Sequence, residues 1–141
     1  MERKGMPQPD CIFVAPARSI VREAVHEVLD EFGDLAYERK GSASPAVLES
    51  LGAEAIKSCR LVIVDITEPN PGVMYALGYG DALGKRLILT MDEERGSTAL
   101  ADLAGRLVLL YSQKDLETFK RRLKAMLTRE LAGAEEGCPN G

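Results

Sequence analysis

Asp65, Glu68 and Asn70 lie close together in the run RLVIVDITEPNPGVMYALGYGDALG, Arg60 to Gly84. Two carboxylates and an amide at that spacing can hold a polar ligand, and either acid can exchange a proton with one. What they do depends on the elements that place them. Leu61, Val62, Ile63 and Val64 form a continuous apolar run, as a parallel strand covered on both faces requires. Asp65 then stands at the carboxyl end of that strand, where open α/β sheets bind their ligands. Asn70 is a good helix N-cap, and Pro71 suits the first helical position, where a missing N–H leaves no bond unmade. A carboxylate, a polar turn and a helix N-terminus are therefore expected to converge on one crevice.

The rest of the chain supplies the elements around this crevice. Cys11 to Val14 read as a short strand ending at Ala15-Pro16. Ser19 is the expected N-cap of a helix in which Ile20, Ala24, Val25, Val28, Leu29 and Phe32 recur at helical spacing until Gly33 stops it. Leu35 to Tyr37 form a weak second strand, Gly41 to Pro45 a loop, and Pro45 opens a helix carrying Leu48, Leu51, Ala55 and Cys59 on one face. After the central strand comes a helix from Pro71 to Leu83, closed by Gly84. Arg86–Thr90 and Leu107–Tyr111 are further strands, and a final amphipathic helix runs from Asp115 to about Leu131. Alternating strands and helices predict an α/β fold. The expectation is a flavodoxin-like or Rossmann-like three-layer sandwich with a five-stranded parallel sheet. Residues 1–10 read as a lead-in, 11–131 as the single domain and 132–141 as a disordered tail.

With 141 residues the chain is one domain, able to bury about two-thirds of its unfolded surface. A net charge of −4 and a pI near 5.1 give no electrostatic support for nucleic-acid binding. The cluster Lys120, Arg121, Arg122 and Lys124 reads as the solvated face of the last helix. Three cysteines without metal-like spacing point to a reducing compartment, and no apolar run is long enough to span a bilayer. A cytoplasmic location is expected, with no membrane partner, no cofactor and no metal: one histidine and scattered acids do not make a metal site.

Other candidates carry ordinary alternatives. Arg18 and Ser19 follow the first strand and would suit a phosphate or carboxylate, or be a surface arginine beside a common cap. Ser42, in the loop after the second strand, could cover a sugar or base. Tyr75 could stack on a base or pack in the core. The glycines 78, 80 and 84 lie late in a helix, so they are not a dinucleotide loop. Gly72, Ala76 and Gly80 recur every four residues and make a smooth helix face for close packing or ligand approach. His26 falls with Arg22 and Asp30 on the polar side of the first helix, and Cys11, Cys59 and Cys138 have no basic partner to make a reactive thiolate.

The segment DITEPNPGVMYALGYGDALGK, Asp65 to Lys85, resembles the signature of the nucleoside 2-deoxyribosyltransferase-like superfamily. That group includes the 2′-deoxynucleoside 5′-phosphate N-hydrolases and is related in fold to Toll/interleukin-receptor-type domains. The resemblance is tight over Cys59 to Leu89 and looser from the first strand to the last. It implies a nucleoside or nucleotide ligand, and relatives with this pocket usually form homodimers. It also implies that the catalytic Glu of the family's Y-E-L-G motif corresponds to Ala76. Asn70 stands where transferases of the family often carry Asp, while Asp65 is retained.

Three readings follow. The first is a nucleoside- or nucleotide-binding domain without the family's N-glycosidic chemistry, with Arg18, Ser19, Ser42, Asp65, Asn70, Gly72, Tyr75 and Ala76 around the ligand. The second is an active deoxyribosyltransferase or N-glycosidase using Asp65 with Glu68, or Asp81, in place of the missing Glu. The third is a signalling or protein-interaction module. A receiver domain also ends its third strand in Asp, but the acidic pair it needs after the first strand is replaced here by Ala15-Pro16-Ala17-Arg18.

Overall fold

The computed structural model describes residues 10–15, 19–33, 53–68, 70–96, 105–106 and 108–135. Within them run β1 (Cys11–Val14), α1 (Arg22–Asp30), α2 (Ala53–Ser58), β2 (Leu61–Asp65), α3 (Pro71–Ala82), β3 (Arg86–Asp92), β4 (Val108–Tyr111) and α4 (Leu116–Glu135). All strand pairs are parallel, in the order β1-β2-β3-β4. The sheet thus has four strands among the described residues, not the expected five. The strand expected at Leu35–Tyr37 lies outside those residues, and the observed order is the flavodoxin-like order without its second strand. The helix expected from Pro45 is described only as α2, and α4 continues past the expected Leu131 to Glu135.

Strand side chains alternate between the two faces, and the core divides accordingly. Cys11, Phe13, Leu61, Ile63, Ile88 and Leu109 pack with α1 and α4, whose Val25, Leu29, Phe119, Leu123 and Leu127 are buried. Ile12, Val14, Val62, Val64, Leu89 and Met91 pack with α2 and α3 on the other face. The continuous apolar strands read from the sequence are therefore covered on both sides, as a parallel sheet demands.

Two local devices set the register of the signature segment. Asn70 caps α3, its Oδ1 accepting from Val73 N–H at 2.8 Å, with Pro71 in the first turn. The buried face of α3 includes Gly72, Ala76 and Gly80, and a Cβ on Gly80 would come within 3.1 Å of Leu87 Cδ2. The smooth face read from the sequence is thus a packing surface against the sheet. At the other end Gly84 adopts φ +72°, which glycine takes without strain. There Gly84 N–H bonds Asp81 O at 3.1 Å and Lys85 N–H bonds Gly80 O at 3.0 Å, satisfying two terminal carbonyls of α3. Lys85 then crosses to α2, its Nζ donating to Lys57 O at 2.6 Å and Cys59 O at 3.0 Å. The Gly-Lys exit of the signature is thus a junction between two helix ends.

Four expectations are corrected. Ser19 does not cap α1: Val21 holds that position without a side-chain cap, and Ser19 Oγ accepts from Val21 N–H at 3.3 Å in the preceding turn. Helix α1 ends at Asp30, before Gly33. His26 is half-buried rather than on the polar surface, meeting the Phe13 ring edge-on at 6.4 Å. The basic residues of α4 do more than face solvent, because Lys120 pairs with Glu27 of α1 at 2.5 Å and Lys124 with Glu31, the residue just after it, at 2.7 Å. Pairs this exposed contribute little, about 0–1 kcal/mol each.

Lys85→Met removes two charge-assisted hydrogen bonds from the α2 end and is expected to lower stability by about 1–2 kcal/mol in urea unfolding. An unchanged midpoint would show that the junction is dispensable.

Candidate functional site

Asp65 ends β2 with its side chain on the α1/α4 face, and the register sets it opposite Thr90 of β3. Its carboxylate is 1% exposed. Oδ1 accepts from Thr67 N–H at 3.0 Å, while Oδ2 accepts from Thr90 Oγ1 at 2.9 Å and from the Tyr111 phenol at 3.0 Å. Thr67 Oγ1 lies 3.2 Å from Tyr111 OH and accepts from Asp92 N–H at 2.9 Å. The proton inventory sets the direction of this chain. Tyr111 has one proton and gives it to Asp65, so Thr67 donates to Tyr111 and accepts from Asp92. Burial, with the Asp65 charge second, pushes the Tyr111 phenol well above its ordinary value, so it remains a neutral donor.

The loop after β3 is equally built. Asp92 is buried, its Oδ2 receiving Gln113 Nε2 at 2.8 Å and its Oδ1 the Glu94 N–H at 2.9 Å. Asp92 O accepts from the N–H of Arg95 at 3.3 Å and of Gly96 at 3.0 Å, closing the turn. A Cβ on Gly96 would run into the Met91 side chain and come within 3.2 Å of Asp92 O, so a larger residue there would have to displace Met91. The turn presents Arg95, which forms an ion pair with Glu68 on the loop after β2.

Between these loops and the start of α1 lies a cavity of about 350 Å³, lined by Ser19, Ile20, Asp65, Thr67, Glu68, Arg95 and Tyr111. It sits at the C-terminal strand ends, as the topology requires of an α/β ligand site. Behind it, Arg22 donates from Nη2 to Ala15 O at 3.0 Å and lies 5.5 Å from the centre of the Phe13 ring. Burial lowers its pKa, with the Asp65 charge opposing that shift. Among the described residues, no group of three or more His, Cys, Asp or Glu side chains is placed to hold a metal, and no helix is long and apolar enough to cross a membrane.

The cavity brings together three of the expected site residues, Ser19, Asp65 and Glu68. Asn70 and Gly72 serve the first turn of α3. Tyr75 is 41% exposed and stacks on Tyr79 at 5.7 Å, outside the cavity lining. Ala76 is fully buried in the apolar cluster on the α2/α3 face, opposite the face that carries the Asp65 side chain. Asp81 pairs with Arg106 at 2.8 Å, away from the cavity. Arg18 and Ser42 lie outside the described residues. Sequence reasoning missed Thr67, Thr90, Asp92, Arg95 and Tyr111. Thr90 and Asp92 had a readable signal, as polar residues ending an apolar strand, whereas Tyr111 had none.

Solved structures share this architecture. The CMP N-glycosidase BcmB of Clostridium botulinum is 25% identical, with a TM-score of 0.58 over 80% of this chain and 97% of that one. The likeness supports the nucleoside 2-deoxyribosyltransferase-like superfamily. A Burkholderia pseudomallei protein described as pilus assembly-related, 19% identical with a TM-score of 0.58, covers 93% of this chain and 96% of its own, and shows the fold alone. No protein-family profile and no curated protein sequence matches the chain.

Tyr111→Phe leaves Asp65 one donor short and Thr67 without its acceptor, and should cost about 1–3 kcal/mol near pH 7 by chemical denaturation. Because folding raises the phenol pKa, Tyr111 contributes stability that is intact below about pH 10, its ordinary value, and is lost as pH rises through the folded value. The gap between wild type and Tyr111→Phe should therefore narrow above pH 10. A constant gap would mean that the phenol does not titrate differently on unfolding.

Proposed function

We propose that the chain is a nucleoside- or nucleotide-binding domain that lacks the superfamily's N-glycosidic chemistry. The observation that carries this reading is that Asp65, the carboxylate on the cavity floor, is sealed under three hydrogen bonds, while the other carboxylate among the described lining residues, Glu68, stands at the exposed rim beside Arg95. Cleaving a glycosidic bond proceeds through a cationic transition state that a nearby carboxylate must meet as nucleophile or stabiliser. Asp65 is buried and accepts three hydrogen bonds, and Glu68 is ion-paired to Arg95. The sequence resemblance sets the superfamily's catalytic Glu at Ala76, which supplies no charge and packs among apolar side chains. The likeness to a CMP N-glycosidase supports a small-molecule nucleoside or nucleotide as ligand.

In this reading Asp65 is a positioning residue that shapes the cavity floor, and Ser19, Thr67 and Glu68 offer the ligand polar contacts. A homodimer belongs to the same reading, supported by the apolar surface that Met74, Tyr75 and Leu83 expose on and beside α3. So does a cytoplasmic location, supported by three cysteines without a disulfide-like framework.

The test is calorimetry with cytidine, CMP and their deoxy and purine counterparts, with free base measured by chromatography in the same samples. Saturable binding without base release is expected, and Asp65→Ala should weaken it at least about tenfold by disordering the floor. Base release by the wild type would establish an enzyme and make Glu68→Gln the next variant. Neither binding nor release would favour the interaction module.

A further inference from the structure

Asp65, Glu68 and Arg95 are the charged side chains lining the cavity among the described residues, and the Arg22 guanidinium behind it interacts with the Asp65 charge. Their exposure differs. Asp65 is sealed under its hydrogen bonds, whereas Arg95 and Glu68 are 46% and 57% exposed and reach the entering ligand. The guanidinium is already engaged, Arg95 Nη2 donating to Glu68 Oε2. Glu68 Oε1 accepts no hydrogen bond from the described residues and stands open as an acceptor.

Two ligand chemistries meet this rim differently. A sugar hydroxyl or an exocyclic amine donates into Glu68 Oε1 and leaves the ion pair whole. A phosphate carries about two negative charges at pH 7 and has no proton to offer that acceptor. It gains Arg95 only by displacing Glu68, and the released carboxylate then remains beside it. Like charges at that separation repel through a partly hydrated medium, and salt within a Debye length of about 10 Å weakens the repulsion without removing it.

We infer that the cavity selects the uncharged nucleoside over its 5′-phosphate, with Glu68 as the discriminating residue. This rests on the nucleoside-binding reading above and names the ligand class it takes. Arg95 has the opposite part: it partly neutralises Glu68 and so limits the selection. The turn closed on Asp92 holds it there, and Gly96 permits that turn.

The experiment compares dissociation constants for cytidine and CMP, and for adenosine and AMP, in the wild type, Glu68→Gln and Arg95→Gln at low and moderate salt. The wild type is expected to bind the nucleoside at least about tenfold more tightly than its monophosphate. Glu68→Gln should erase or reverse that ratio by freeing the guanidinium. Arg95→Gln should sharpen it, and added salt should shrink it. The opposite shifts distinguish an electrostatic filter from a structural role, since a loosened loop would weaken all ligands in both variants. Equal or tighter binding of the monophosphate by the wild type overturns the inference and leaves nucleotide binding standing. A ratio unchanged in Glu68→Gln also overturns it. Failure of every ligand to bind defeats the nucleoside-binding reading itself.

Discussion

A carboxylate ends the buried strand β2, and it can stay there only because three donors from three other places in the chain meet it. Thr67 N–H comes from the following loop, Thr90 Oγ1 from the neighbouring strand and the Tyr111 phenol from β4. A buried charge without such partners would cost several kcal/mol. The same bonds tie the C-terminal ends of β2, β3 and β4 together at the place where the sheet opens into a cavity. Thr67 extends the network to Asp92, and Asp92 closes the turn that carries Arg95. The floor and one wall of the cavity are therefore one connected set of hydrogen bonds, in which each member is fixed by the proton the next one gives or takes.

This economy of partners bears on function. A buried carboxylate that accepts three hydrogen bonds positions its neighbours well and attacks a sugar carbon poorly, because most of its lone pairs are already engaged. The open acceptor in the cavity lies on Glu68 instead, in an exposed ion pair whose net strength is small and whose geometry a ligand can alter. The chain thus separates a rigid buried floor from an adjustable polar rim, an arrangement suited to recognition.

Small side chains on α3 serve the opposite face. Gly72, Ala76 and Gly80 let the helix lie close over β2 and β3, where a larger residue at position 80 would meet Leu87. Ala76 belongs to that dry interface among Ile12, Val14 and Val64. An ionised side chain at position 76 would lose its water there without gaining a visible partner.

Much of the frame was legible in the chain alone. The apolar run Leu61–Val64, the Asn-Pro helix start and the Gly84 exit are local signals, because strand burial, capping and left-handed backbone each depend on a few adjacent residues. The position of Asp65 followed from the same run. Some local signals misled: Ser19 had the right type for a cap, but the chain begins α1 later and uses its hydroxyl in the preceding turn. Tertiary structure alone decided the partners of that carboxylate. Tyr111 lies 46 residues away and reaches Asp65 only because β4 pairs in parallel with β3 in one particular register. Arg95 meets Glu68 across 27 residues because β2 and β3 pair in a register that brings their following loops together. Type and spacing in a sequence specify which elements form and which face they bury. Which donor meets which acceptor across the sheet edge depends on register and packing, and those are properties of the assembled fold.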